Sequence, residues 1–287
     1  MVAAFPFTEQ LSECDLCGNK QLLTVDAEAK VVRCKTCGYR FVNPRPTQQA
    51  IAASYSAADF YDGWIEGETG RRRMWAKRLS LFRRQGPELR VLDIGAGIGT
   101  FLAMGRDELG WKVTGTEVSS SAVQMAAQRH GLELLLGHVE DLNLPDGSFD
   151  LITMWHVLEH VPFPAATLEL CRRLLVANGR LAIAVPNDND ERWWLLRSKA
   201  RLGISPTPVR YDPILPGHEV HLSHFQKRVL TRALRARGFS VDAVTVDDHH
   251  AQPSQRSDAL VRAYRLINSA TGLNFGQAML VQARKKP

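Results

Sequence analysis

The stretch Val91-Leu92-Asp93-Ile94-Gly95-Ala96-Gly97-Ile98-Gly99-Thr100 constrains this chain more than any other. A short apolar run ends in three alternating glycines and then enters a helix-like segment, Thr100–Asp107. Glycine adopts positive φ freely and lets a ligand come close to the backbone. The stretch therefore reads as a buried strand, a tight turn and a helix N-terminus, the place where a doubly wound sheet binds nucleotides. The dinucleotide fingerprint G-x-G-x-x-G would need glycine at position 100, where Thr100 stands, and the spacing here is G-x-G-x-G. A nicotinamide dehydrogenase is disfavoured on that ground.

The rest of the chain repeats the alternation. Trp111–Glu117, Leu132–Leu136, Phe149–Met154 and Arg180–Val185 read as strands. Ser119 can cap a helix running to Arg129. Ala165–Leu175 is helical, with Leu168, Cys171 and Leu175 on one stripe. Gln226–Arg237 is a helix stopped by Gly238, and Phe239–Val246 and Gln277–Arg284 are closing strands. Strand–helix–strand repetition predicts an α/β fold, a parallel sheet with helices on both faces. The break Asn43-Pro44-Arg45-Pro46 separates a small unit, 1–46, from a helical linker and cap, 47–88. The core is 89–287, with an insertion at 188–217 that reads either as a substrate lid or as a packing flap. In the linker, Trp75, Leu79 and Phe82 form an apolar stripe, which places the arginines of 71–84 on the solvated side.

The chain has five cysteines, and four fall in two C-x2-C pairs, Cys14/Cys17 and Cys34/Cys37, each followed by glycine. That spacing is a zinc-ribbon signature, and four thiolates make a closed, structural site. A tetrahedral four-thiolate set also accepts iron. Cys171 remains as a core residue. The chain carries 36 basic and 30 acidic side chains, a formal charge of +6. Four thiolates and one Zn2+ bring this to about +4, which weakens the compositional case for nucleic acid. No leader-like N-terminus and no apolar run of spanning length occurs, so a cytoplasmic location is expected.

The glycine turn resembles the first motif of the class I S-adenosylmethionine (SAM)-dependent methyltransferases, and the resemblance continues in order to about Arg284. It takes in Glu117-Val118-Ser119, Gly137 to Asp150, Trp155-His156-Val157-Leu158-Glu159-His160, Asn178-Gly179-Arg180-Leu181 and His221-Leu222-Ser223-His224-Phe225. It implies a Rossmann-like seven-stranded sheet with an antiparallel last strand, preceded here by the four-cysteine unit. The implied cofactor is SAM. Gly95, Gly97 and Gly99 would line its methionine part, and Asp93 would order the loop or meet the amino end through water. Glu117 would hold the ribose, and Val139 with Glu140 or Asp141 would face the adenine. Trp155 would lie along the cofactor, and Tyr61 or Tyr55 would either cover the carboxylate end or simply pack. The proline junction and the late His-x-x-His-Phe segment are similar to those of bacterial methyltransferases of the type 23/11 kind that act on sugars, polyketides or cell-surface glycans.

Histidine is the natural neutral-pH base for an acceptor hydroxyl or amine. His156 and His221 are the candidates, each with a structural role as the alternative. Some quinone O-methyltransferases place acidic residues and a histidine near Glu159-His160 and use a divalent ion. Here Trp155 and His156 stand where a further carboxylate would be wanted, so no catalytic metal is expected. The acceptor expected is a small molecule or glycan. RNA bound through the ribbon is the second reading, and a silent scaffold the third.

Overall fold

The computed structural model describes residues 7–55, 67–215, 219–248 and 255–287. Tyr61, Phe60, Trp64, His218, His249 and His250 lie outside the described residues, as does the side chain of Tyr55. In chain order the elements are β1 (Leu22–Asp26), β2 (Val31–Cys34), β3 (Arg40–Val42), α1 (Gln48–Tyr55), α2 (Glu68–Leu79) and β4 (Arg90–Ile94). There follow α3 (Thr100–Leu109), β5 (Lys112–Glu117), α4 (Ser120–His130), β6 (Leu135–Leu136), β7 (Phe149–Trp155), α5 (Pro164–Leu174) and β8 (Leu175–Pro186). The last are α6 (Asp190–Arg201), β9 (Ser223–His224), α7 (Lys227–Ala236), β10 (Phe239–Asp247), α8 (Gln255–Thr271) and β11 (Ala278–Lys285).

The large sheet has seven strands in the order β10-β11-β8-β7-β4-β5-β6. Strands β6, β5, β4, β7 and β8 are parallel, and β11 runs antiparallel to both β8 and β10. This is the expected seven-stranded sheet with one reversed strand. Its central strands are buried on both faces because neighbouring residues feed opposite cores. Leu92, Ile152, Ile183 and Val281 pack with α5 and α7, whereas Val91, Leu151, Ala182 and Leu280 pack with α2 and α3. Cys171 is fully buried on α5, as its stripe implies. Residues 176–179 leave the ladder between the pairs Phe149–Leu175 and Leu151–Arg180, and Asn178 takes a φ of 60° at that turn.

The small sheet is β1-β2-β3-β9. Its fourth strand comes from the late His-x-x-His-Phe segment, with Arg40 opposite His224 and Phe41 opposite Ser223. The Tyr39 hydroxyl lies 2.5 Å from Ser223 Oγ, and the Tyr39 ring stacks on Phe225. The N-terminal unit therefore shares a sheet and an apolar core with the α/β body. The linker stripe is buried as expected, but Arg78 is not on the solvated side. It is 3% exposed and lies between Trp75 and Trp155, 4.8 and 4.5 Å from their ring centres. Among the described residues no helix is long and apolar enough to cross a membrane.

Candidate functional site

The glycine turn closes the C-terminal end of β4. Gly95, Gly97 and Gly99 have φ of 69°, 56° and 77°. A Cβ on Gly95 would sit 2.5 Å from Val157 Cγ2, so no other residue fits there without displacing that side chain. The amides of Gly95 and Ala96 both donate to Thr116 O at the end of β5. The next acceptor along is the Glu117 side chain. Its Oε2 accepts from Gly97 N at 2.8 Å, and its Oε1 accepts from Val118 N and Ser119 N at 2.8 and 2.9 Å. Burial raises the Glu117 pKa and the three amides pull it back. Asp93 lies one turn deeper, taking the Thr153 hydroxyl at 2.6 Å, and burial pushes it up to about 7.

Gly95, Glu117, Gly137, Val139, Glu140 and His160 line one cleft, which α1 covers with Gln48 and Ile51. Glu140 reaches this cleft and Asp141 does not. The Glu140 carboxylate also takes the Thr167 hydroxyl at 2.5 Å. Trp155 does not line the cleft. Its ring packs 5.2 Å from Phe101 and 6.2 Å from Trp75, on the opposite face of the sheet from Met154. The alternation of a strand forces this, since neighbouring side chains point to opposite faces.

Beyond β7 the chain turns sharply at His156, whose φ is 59°. The imidazole lies between two carboxylates, with Nδ1 3.4 Å from Glu159 Oε1 and Nε2 3.5 Å from Asp247 Oδ2. Burial alone would push His156 down, but the two acids outweigh it and hold it at about 9. It is therefore charged near neutrality, a poor proton acceptor and a good counter-charge. Asp247 is in turn held well below the usual carboxylate range, against burial, by Arg78 at 2.5 Å and by His156. Glu159 is fully buried, and the charged groups nearest its carboxylate are the imidazoles of His156 and His160. Burial opposes its ionisation, yet His156, His160 and His221 keep its pKa low. His160 is held by Val220 O at 2.8 Å and its Nε2 lies 3.8 Å from Glu159. The ligand atoms of Glu159, His160 and His221 all fall within 4.8 Å of one another.

A second cavity, about 640 Å3, opens past His221 between the end of β8 and the insertion. Asp188, Arg192, Trp193, Arg210, His221 and His224 are on its wall. The His160 and His221 rings are 4.9 Å apart, so one histidine of the pair faces each space. Burial would lower His221, but Glu219 and Glu159 raise it above its ordinary value. Burial pushes His224 down to about 4, which keeps it neutral.

The four cysteine sulfurs converge. Cys14 and Cys37 are 3.5 Å apart, Cys17 and Cys34 3.6 Å apart, and all four lie within 4.8 Å. A tetrahedral Zn–S set of ~2.3 Å bonds needs S···S near 3.8 Å. Gly18 and Gly38 take φ of 67° and 79° after each pair, letting their amides turn back to Cys14 O and Cys34 O. The donor set fits a tetrahedral soft-metal ion.

Sequence reasoning missed Arg40, Arg78, Asp188 and Asp247. Asp188 and Asp247 follow or end strands at the ligand-binding edge, a usable signal, whereas Arg78 is hidden in the basic stretch 71–84 and Arg40 in a short buried strand.

A methyltransferase domain profile matches residues 67–244, more than half of the chain. The chain belongs to the methyltransferase domain family. Curated relatives include ubiquinone biosynthesis O-methyltransferases of Xanthomonas oryzae pv. oryzae and Alkalilimnicola ehrlichii. The first is 39% identical over 105 residues, 34% of this chain and 43% of the relative, and the second 35% identical over 111 residues, 36% and 44%. The chain thus spans less than half the length of these relatives. Among solved structures, a chain of the complex between the Haloferax volcanii Trm112 methyltransferase activator and a methyltransferase matches with a TM-score of 0.58 and 20% identity, over 83% of this chain and 98% of that one. A SAM-dependent methyltransferase of Thermotoga maritima matches with a TM-score of 0.54 and 21% identity, over 82% and 99%. At such identities these two establish the fold.

Proposed function

We propose that this methyltransferase-family chain moves a methyl group from SAM to an oxygen, nitrogen or carbon nucleophile of a small-molecule acceptor, glycans included. The observation that carries the reading is the junction of the two cavities at the His160–His221 pair. A cofactor space on one side and an acceptor space on the other is what a transfer between two bound molecules requires.

SAM, when bound, supplies an electrophilic methyl on a sulfonium. Glu117 accepts the ribose hydroxyls, with charge-assisted hydrogen bonds as the source of affinity. The glycine turn gives backbone approach to the methionine part, and Val139 and Glu140 bound the adenine. The space in the cleft is about 80 Å3, well under the roughly 300 Å3 at the lower end of ligand pockets. Entry of a nucleoside therefore requires α1 to lift. In the second cavity His221 takes the proton released by the acceptor nucleophile. His156 stays charged and keeps Glu159 ionised behind the pair. The four cysteines hold one structural metal ion, zinc by donor type. RNA is the weaker reading, since the inner strand of the ribbon is spent on pairing with β9.

Calorimetric titration with S-adenosylhomocysteine tests the cofactor assignment. Saturable binding is expected, weakened about 100-fold in Glu117→Ala through loss of two charge-assisted bonds and abolished in Gly97→Arg. Absence of any heat in the unaltered chain sinks the proposal.

A further inference from the structure

The insertion carries the most open apolar surface of the described residues. Trp194, Leu202, Ile204 and Val209 are 68%, 74%, 67% and 65% exposed, and among the other large apolar side chains described only Leu266 is as open. Helix α6 accounts for part of this. Trp193 is its one buried side chain among the described residues, so little of the helix circumference is packed. Trp194, Arg197 and Arg201 fall at i, i+3 and i+7, on one helix face, and all three are exposed. The chain leaves the helix at Gly203, whose φ is 69°, with Leu202 and Ile204 on either side of it.

The charge of this tip has one sign. From Arg192 to Val209 there are four cations, Arg192, Arg197, Lys199 and Arg201, and no carboxylate, 4 − 0 = +4. The acids that flank it are engaged elsewhere. Asp188 and Asp190 hold Arg40 and Arg210. Glu191 accepts from Asn274 N at 3.2 Å, and Glu219 lies 3.6 Å from His221. Asp212 is exposed beyond the tip, and one carboxylate does not offset four cations. The ion pairs of the insertion among the described residues involve Arg210 and none of Arg197, Lys199 or Arg201.

A contiguous open apolar surface marks an interaction site. Aromatic and aliphatic side chains enter the boundary between lipid headgroups and acyl chains, while neighbouring Lys and Arg reach the headgroup phosphates. A second copy of the chain is a poorer occupant, because a symmetric contact sets the four cations against four more. The same surface runs into the second cavity, since Val209 and Leu215, the latter 52% exposed, belong to both.

We propose that the tip of the insertion, from Trp194 to Leu215, docks on a lipid bilayer that bears anionic headgroups. Arg197, Lys199 and Arg201 meet the headgroups, and Trp194, Leu202 and Ile204 insert beside them. The chain lies on the bilayer through this tip, with no described helix crossing it. Leu215 brings the mouth of the second cavity to the bilayer surface. An acceptor held in the membrane then reaches that cavity without passing through water, a consequence that rests on the proposed reading of the cavity as the acceptor space.

The test is co-sedimentation of the full chain with vesicles of phosphatidylcholine alone or of phosphatidylcholine and phosphatidylglycerol in equal parts. Binding to the mixed vesicles is expected, about tenfold or more tighter than to the neutral ones and weakened by added salt. Arg197→Gln with Arg201→Gln should weaken it about tenfold or more. Leu202→Ser with Ile204→Ser should weaken it to a similar degree, and Leu215→Ser by less. Arg83→Gln with Arg84→Gln, which removes as much exposed charge ahead of β4, should leave it intact. Tryptophan emission should move to shorter wavelength on binding, and Trp194→Phe should remove that change. No binding to the mixed vesicles, equal binding to both kinds, or binding that survives both double substitutions in the tip overturns the proposal. So does a dimer in solution that Leu202→Ser with Ile204→Ser abolishes, since a second copy then covers the patch. A Leu215→Ser chain that binds like the parent removes the cavity mouth from the membrane. Calorimetry with S-adenosylhomocysteine reports on the cleft at Glu117, so it separates the two failures. Vesicle binding without it loses the cofactor reading alone, and the reverse loses the docking surface alone.

Discussion

Arg40 Nη1 lies 2.7 Å from Asp188 Oδ2, and both side chains are more than nine-tenths buried. One residue belongs to the ribbon and the other to the edge of the α/β sheet, on the wall of the second cavity. Stranding one partner of a buried ion pair costs about 3–5 kcal/mol. Asp188 keeps Arg210 after the change, so Arg40→Met should cost less, about 2–3 kcal/mol. The expected outcome is a lower melting temperature and weaker acceptor turnover, with affinity for S-adenosylhomocysteine essentially unchanged. A variant that melts like the parent would show that the pair contributes nothing across that boundary.

In the proposed reaction His221 sets the acid limb of activity. Its pKa is raised above 6.5 by Glu219 and Glu159 once burial is overcome. A base works only when deprotonated, so kcat/KM should fall as pH drops through that raised value. In Glu219→Gln the limb should move to lower pH, because a carboxylate that favours the imidazolium has gone. His221→Asn should flatten the limb and lower the rate by about 10^2–10^4-fold. An unshifted limb in Glu219→Gln would remove His221 from the role.

Much of this site is legible in the residues, and what is not has a physical reason. The glycine turn, Glu117 and the cysteine quartet are local patterns, fixed by backbone conformation and spacing, and the fold bonds the turn to Glu117 and brings the four sulfurs together. The resemblance implies a place for Trp155 along the cofactor, but the pleat of β7 turns it into the core beside Phe101. Arg78 sits in a run of basic residues whose charges look alike, and only the long-range partner Asp247 singles it out. The α8 helix leaves no clear stripe, since Val261 and Asn268 are its buried residues among those described. The union of β3 with β9 joins residues almost two hundred positions apart, and a two-residue strand has no periodicity to read.

His156 makes stability depend on pH in a defined direction. Its folded pKa is raised from 6.5 to about 9 by Asp247 and Glu159 acting against burial. A raised imidazole stabilises the fold fully below the unfolded value, and that contribution is lost as pH climbs from about 6.5 through 9. The melting temperature of the unaltered chain should therefore decline faster over this interval than that of His156→Gln. The two curves should draw together above pH 9, which cancels contributions from other groups by difference. Parallel curves from pH 6 to 10 would mean that the imidazole carries no extra proton in the fold.

Metal in the ribbon should be felt at the far side of the molecule. Cys34 closes β2 and its neighbour β3 pairs with β9, so the four-sulfur site and the His221–His224 segment share one small sheet. Structural metal sites contribute their binding energy to folding. Elemental analysis should find one zinc per chain, with no visible thiolate-to-iron absorption. Cys34→Ser should lower both the zinc content and the melting temperature. The NMR resonances of His221 and His224 should shift in that variant, whereas titration with S-adenosylhomocysteine should still be saturable, because Glu117 and the glycine turn hang on β4 and β5. A chain that holds no metal and melts identically with and without Cys34 would leave the ribbon standing on its contacts with the α/β body, the Arg40–Asp188 pair, the β3–β9 pairing and the packing on Phe225 and Val229.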